Sequence, residues 1–219
     1  MGILRKQALF TLTFLALAGN ATADTNLWLG VKAGTLGVGL EGTWRPIDWV
    51  DLRVGGNIYD YDETGAQAGI NYDATLELQT FYATANFRFP LSPFRITVGG
   101  YSNSNTIKMV SVDTPSFNIG GNTYTSAEVG TLTNNTSWDS TSPYLGAGFD
   151  FEVFGKVGLT FDFGVLWQGD PKVSLTTTGT LAAAQTFLDD LAIESAELAD
   201  EVDVLKAYPV LSIGFNFNF

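Results

Sequence analysis

Eleven ionisable residues sit where the chain alternates between apolar and polar positions: Lys32, Glu41, Arg45, Asp51, Arg53, Arg88, Arg95, Asp150, Glu152, Lys156 and Asp162. Two kinds of chemistry suit such a set. Asp150, Glu152 and Asp162 could converge as an acid pair for proton transfer, which needs carboxylates whose surroundings differ. With Arg53, Arg95 and Lys156 beside them, the same carboxylates would instead neutralise cations, and the mixture of signs favours that structural network. The chain contains neither cysteine nor histidine, so disulfides, thiolate or imidazole metal sites and every Ser-His or Cys-His catalytic arrangement are excluded. A carboxylate pair or a Ser-Lys arrangement remains, and neither has a local signature. The expectation is a protein that is not an enzyme, with no cofactor and no resident metal.

Two further patterns reduce to structure. Gly34, Gly37 and Gly39 follow a Gly-x-x-Gly-x-Gly order with no helix after them, which makes a hairpin turn of what would otherwise be a phosphate loop. Asp60, Asp62 and Glu63, or Asp170 with the acids that follow it, offer oxygen ligands to Ca²⁺ or to cations that bridge lipopolysaccharide. They lack EF-hand spacing, and a run of like charges reads first as solvated loop.

The elements that must position the charges are strands. Val50, Leu52, Val54, Gly56 and Ile58 share one side of a period-2 pattern, opposite Asp51, Arg53, Gly55 and Asn57. Val157, Leu159, Phe161, Phe163, Val165 and Trp167 do the same, as do Leu211, Ile213, Phe215, Phe217 and Phe219. Eight such segments are predicted, over 27–33, 38–45, 49–59, 76–89, 94–103, 144–154, 156–168 and 208–219. Short connections lie at Pro46-Ile47-Asp48, Pro90-Leu91-Ser92-Pro93 and Phe154-Gly155-Lys156, whereas 60–74, 104–143 and 169–207 are long. Tight turns on one rim and long loops on the other are the plan of an outer-membrane barrel, with both termini in the periplasm. Two places fit poorly: the first hairpin, at Gly34-Thr35-Leu36-Gly37, is short, and the alternation slips near Thr80, where a bulge is expected. The last long loop holds an amphipathic acidic helix, Leu181–Leu205, whose Phe187, Leu191, Leu198, Val202 and Leu205 should dock on the barrel mouth or other loops. Residues 118–125 read as an extra hairpin.

The side on which the charges lie separates a soluble sandwich or barrel from a membrane barrel. Six of the nine basic residues left after removal of a leader, and five acids, lie opposite the apolar faces, so the apolar set faces lipid and the charges fill the lumen. Trp44, Trp49, Tyr59, Phe89, Phe94, Tyr144, Phe154, Trp167 and Tyr208 stand near strand ends, where interfacial girdles form. At the N-terminus, Arg5 and Lys6, the apolar run from Ala8 to Gly19 and Ala21-Thr22-Ala23 read as a signal peptide over 1–23, leaving a barrel domain over 24–219. That leaves nine basic against 23 acidic residues, a net charge of −14, which disfavours nucleic acid as a partner.

Taken together, the signal, the rhythm of turns and loops and the terminal strand resemble small eight-stranded outer-membrane barrels of Gram-negative bacteria across the whole mature chain. GTLGVGLE at Gly34–Glu41, FGVLWQGDPKVSL at Phe163–Leu175 and YPVLSIGF at Tyr208–Phe215 look like an uncharacterised proteobacterial barrel family, and that likeness implies no activity. It does imply an assembly signal on the last strand, with Tyr208, Phe215, Phe217 and Phe219 read by the barrel-assembly machinery. The expected surroundings are outer-membrane lipid and lipopolysaccharide, and the expected state is a monomer. Function narrows to small-solute passage or binding through a narrow, mostly plugged lumen, or to a surface barrel whose loops bind a partner.

Overall fold

The computed structural model describes residues 26–67 and 70–218, so the expected signal segment 1–23 and Phe219 lie outside the described residues. In chain order the elements are β1 Leu27–Gly34, β2 Gly37–Ile47, β3 Val50–Gln67, β4 Ile70–Arg88, β5 Phe94–Asn103, β6 Thr106–Val112, β7 Ser116–Ile119, β8 Asn122–Thr125, α1 Ser126–Val129, β9 Leu132–Ser137, β10 Thr141–Val153, β11 Val157–Trp167, β12 Lys172–Thr177, α2 Gln185–Glu201 and β13 Ala207–Asn218. Eight of the strands close a ring in the order β4-β3-β2-β1-β13-β11-β10-β5, and β5 returns to β4. All neighbours are antiparallel.

Alternation sorts the two faces of this wall. Leu29, Val31, Leu40, Val54, Phe81, Phe161, Phe163, Ile213 and Phe215 stay exposed on the outside, while Glu41, Asp51, Arg53, Asn86, Arg95 and Asp150 are buried inside. An apolar belt of that extent matches hydrocarbon rather than water, and a closed ring leaves no lipid-facing edge. The fold is an eight-stranded antiparallel transmembrane β-barrel. No helix among the described residues is long and apolar enough to cross a membrane.

Three of the expected girdle aromatics point elsewhere. Tyr144 is buried in the lumen, because the even positions of β10 face inward along with Gly146, Gly148 and Asp150. Tyr59 and Tyr208 also take the lumen side of their strands. Tyr208 donates from its hydroxyl to the Thr35 carbonyl at 2.8 Å.

The expected long loops are partly sheet. The segment 60–74 is no loop, because β3 and β4 stay paired out to Gln67↔Ile70. Within 104–143 and 169–207, β6 pairs with the upper part of β4, β9 with β6 and β12 with β9, so the wall continues upward on one side. No bulge occurs at Thr80: the β3–β4 register runs unbroken through Asn57↔Thr80. The apparent slip has another cause, since Leu78 and Tyr82 are apolar residues that face inward beside Thr80 and Thr84. The irregularity falls instead between Trp44 and Ile47, where Pro46 cannot donate to a ladder.

The upward sheet and its cover form a cap. Ile70 and Leu132 from the sheet bury Phe117 and Ile119 from the β7–β8 hairpin, Val129 from α1 and Phe187 and Leu191 from α2 in one apolar cluster. The hairpin and the docking of Phe187 and Leu191 follow the sequence pattern, whereas Leu198, Val202 and Leu205 are only half-buried. The helix begins later than expected because Gly179 and Leu181 donate to the Val129 and Glu128 carbonyls, at 2.8 and 3.1 Å, which commits that backbone to α1. It ends at Glu201, and Asp203–Lys206 form a separate 3-10 turn.

Candidate functional site

The lumen is the candidate site, and it is built in layers. Ten of the eleven sequence-predicted charges meet there in a linked set of ion pairs, contributed by β1, β2, β3, β4, β5, β10 and β11. Lys156 does not join them. It is exposed in the turn after β10, because the strand ends at Val153 and the chain there has left the inward register. Without it the set is balanced: Lys32, Arg45, Arg53, Arg88 and Arg95 against Glu41, Asp51, Asp150, Glu152 and Asp162.

Arg53 and Arg95 hold the middle. Arg53 reaches Asp150 at 3.0 Å, Asp51 at 3.3 Å and Glu41 at 3.4 Å. Arg95 is 0% exposed and donates from Nε to Asp150 at 2.9 Å, from one terminal nitrogen to Asn86 and Thr97 at 3.1 and 2.7 Å, and from the other to Asp162. A guanidinium offers five donors in a rigid fork, and here both ends of the fork are occupied. Buried charges are tolerated in such a place only when each has partners. Toward the rim with the short turns, Glu152 takes Arg45 at 2.8 Å and Arg88 at 3.1 Å. Toward the cap, Lys32 lies 3.7 Å from Glu41 and 4.3 Å from the centre of the Tyr82 ring, and Tyr82 donates to Glu41 at 2.8 Å. Arg95 bridges Asp150 and Asp162, so the arrangement neutralises charge and does not form the acid pair considered from sequence.

A second layer was not foreseen. Leu36, Tyr82, Tyr101, Tyr144, Leu166 and Val210 form a buried cluster across the lumen above the charges, with Tyr208 packed against it. The Tyr82 and Tyr101 rings stack with centroids 4.9 Å apart, and Tyr101 and Tyr144 lie 5.2 Å apart. The signal for this layer is the inward glycines beside the tyrosines, on the same or the neighbouring strand. A β-carbon on Gly55 would stand 2.4 Å from the Tyr82 hydroxyl, and one on Gly146 or Gly164 would stand 2.3 or 2.5 Å from that of Tyr144. Inward glycine in a strand marks the close approach of another group, and here that group is a tyrosine.

A polar knot joins barrel to cap above the tyrosines. Gln168 Oε1 accepts from Asn103 at 3.1 Å and Asn105 at 3.2 Å, while its Nε2 donates to the Leu205 carbonyl at 2.9 Å. Four chain segments thus converge on one residue, since the Gln168 main-chain carbonyl also accepts from the Asp139 N–H at 3.0 Å.

Most of the remaining acids lie in the cap, Asp48 in the β2–β3 turn being an exception among the described residues. Asp62 accepts from Thr75 at 2.9 Å on the upper β3–β4 hairpin, and Asp170 pairs with Lys206 at 2.8 Å. No group of carboxylates among the described residues is gathered so as to hold a metal ion. Hydrogen bonds from Tyr124 and then Asn122 hold Asp190 below the usual carboxylate range, and the Thr125 N–H and hydroxyl do the same for Glu128. Asp170 and Asp203 raise Lys206.

Barrel and cap together are similar in fold to two solved structures, CarO2 and CarO of Acinetobacter baumannii. The match to CarO2 has 24% identity and a TM-score of 0.60, covering 88% of this chain and 98% of that one. The match to CarO has 22% identity and a TM-score of 0.57, covering 89% and 98%. No protein-family model matches the chain, and no curated protein does. At these identities the likeness is one of fold.

Proposed function

We propose that the chain is a bacterial outer-membrane barrel whose lumen is shut at rest, and that a small solute is bound or passed only when the upper layer of the lumen moves. The observation that carries this reading is the position of Arg95, wholly buried and bridging β4, β10 and β11 across the interior. Eight strands enclose little more room than side chains fill. Balanced charge also argues against an ion-selective ring, which needs one sign in excess. The apolar belt and the signal-like N-terminus support the location. On this reading the short turns and termini face the periplasm, the cap faces outward, and the assembly machinery inserts the chain as a monomer through its last strand, Phe219 included.

Purified protein in planar bilayers should show conductance that is small or absent. A stable nanosiemens-scale channel would overturn the reading. Surface protease on intact cells should cut the cap and spare residues 46–48 and 90–93.

A second reading is favoured by the cap's own core and charge: the cap would be a surface module that binds a partner or lipopolysaccharide. From Asp60 to Glu77, Ser104 to Ser140 and Gly169 to Lys206 the chain carries sixteen acidic residues and three basic ones, against an even balance in the lumen.

A further inference from the structure

The barrel wall has a low point. At the top of the β1–β2 hairpin the ladders stop at Gly34↔Ser212 on one side and Val38↔Ile58 on the other, joined only by Thr35 and Leu36. The flanking strands continue upward. Among the described residues, β3 from Tyr59 to Gln67 pairs only with β4, and β13 from Ala207 to Leu211 pairs only with β11. Two strands are therefore missing from the wall above the turn, a gap of roughly 14 Å between β3 and β13 at ordinary strand spacing. The gap is open to surroundings: Tyr59 and Tyr61 project on the lumen side of β3, yet remain 43% and 47% exposed.

Leu36 stands at the foot of this gap and points inward. It is 4% exposed, packed in the cluster with Tyr82, Tyr101, Tyr144, Leu166 and Val210. The turn that carries it is held by Thr35 alone on the β13 side. The Thr35 N–H donates to the Leu211 carbonyl at 2.9 Å and its hydroxyl to the Pro209 carbonyl at 2.9 Å. That hydroxyl also accepts from the Leu211 N–H at 3.1 Å, and the Thr35 carbonyl accepts from Tyr208 at 2.8 Å. Side-chain hydroxyls thus take the place of a continued ladder, because Pro209 has no N–H to extend one.

We propose that the Thr35-Leu36 turn is a displaceable stopper: Leu36 closes a side entrance, between β3 and β13, to the small cavity that Tyr82, Tyr101, Tyr144 and Val210 line over the ion pairs. Opening breaks the contacts of one two-residue turn and leaves every barrel strand paired. Displaced, the turn would admit solute from the cap side to a binding space above the ion-pair layer, an inference that rests on the reading of that lumen as sealed from below.

The absence of native cysteine makes accessibility a clean readout. Val210→Cys reports on that cavity, and Thr160→Cys reports from below Arg53; both positions are buried. Each is inserted in lipid vesicles with the cap outward, checked by protease cleavage of the cap and by heat-modifiable migration, and exposed from outside to a membrane-impermeant cationic methanethiosulfonate. With Leu36 present, Val210→Cys should react slowly. Adding Leu36→Ala should speed it about tenfold or more, Tyr208→Phe less so, and the volume-conserving Leu36→Met little. Thr160→Cys should stay slow throughout. Val210→Cys rates that ignore Leu36→Ala and Tyr208→Phe alike, or that are already fast with Leu36 in place, would overturn the stopper. Fast reaction at Thr160→Cys in the otherwise unaltered chain would overturn the sealed lumen instead, which keeps the two failures apart.

Discussion

Arg95 lies across Gly148: a β-carbon on Gly148 would stand 2.9 Å from the guanidinium carbon and 2.5 Å from the Phe161 carbonyl oxygen. The guanidinium sits against the β10 backbone at Gly148, and a side chain there would push it away from Asp150 and Asp162.

Gly148→Ala should therefore destabilise the refolded barrel by about 1–3 kcal/mol, the usual range for overpacking. Urea unfolding in detergent reads this directly. Gly100→Ala is the comparison, since its β-carbon would meet nothing nearer than 4.0 Å. Equal effects would mean that Arg95 is not seated on Gly148.

Removing the guanidinium itself leaves Asp150 and Asp162 buried without it. Arg95→Met should cost roughly 3–5 kcal/mol, and adding Asp162→Asn should recover part of that loss. Lys172→Met, which breaks the exposed pair with Asp139, should cost under about 1 kcal/mol. A loss for Arg95→Met no larger than for Lys172→Met would show that the lumen network contributes nothing to stability.

The barrel was legible in the sequence because its physics is local. Period-2 alternation placed all ten lumen charges, and short turns rich in Pro and Gly fixed which ends meet. The cap was not legible in the same way. Upper β4 turns Asp73 and Glu77 to water and Ile70 and Tyr72 to the cap core, while upper β3, with Asp60 and Asp62, is exposed on both faces, so polar composition disguised both as loop. Leu36 was lost for the opposite reason, as one apolar residue in a glycine-rich turn carries no periodicity. Its burial depends on tyrosines from three distant strands, Tyr82, Tyr101 and Tyr144. Lys156 was misassigned because alternation alone does not say where a strand ends.

Gln168 should matter to the cap more than to the ring. Gln168→Leu removes partners from Asn103, Asn105 and the Leu205 carbonyl, each left unsatisfied at a cost of about 1–3 kcal/mol. Amide exchange should quicken in β6, β9 and the Asp203–Lys206 turn, with β11 and β13 unchanged below the knot. Uniform quickening would mean that cap and ring open as one unit.

Acid should loosen the cap through Asp190 and Glu128. Both carboxyls are held below their ordinary values of 3.8 and 4.5, so the stability they lend is present above those values and disappears as pH falls through the lower, folded ones. Exchange in β7, β8 and α2 should therefore accelerate from about pH 4 downward. Tyr124→Phe, which removes the foremost hydrogen bond to Asp190, should shrink that response. An unchanged response in this variant would assign the acid sensitivity to other groups.

β4 leaves β5 near Thr80 and takes up β6 at Glu77 without losing step with β3. Along such a strand, displacement is quantised: a slip of one residue exchanges the wet face for the dry one, and only jumps of two keep the sides correct. The cap is thereby keyed to the ring like a shaft with a spline, able to bend but not to creep or rotate by small amounts. Gradual motion is left to pieces outside that spline, the helix α2 and the turn that bears Leu36.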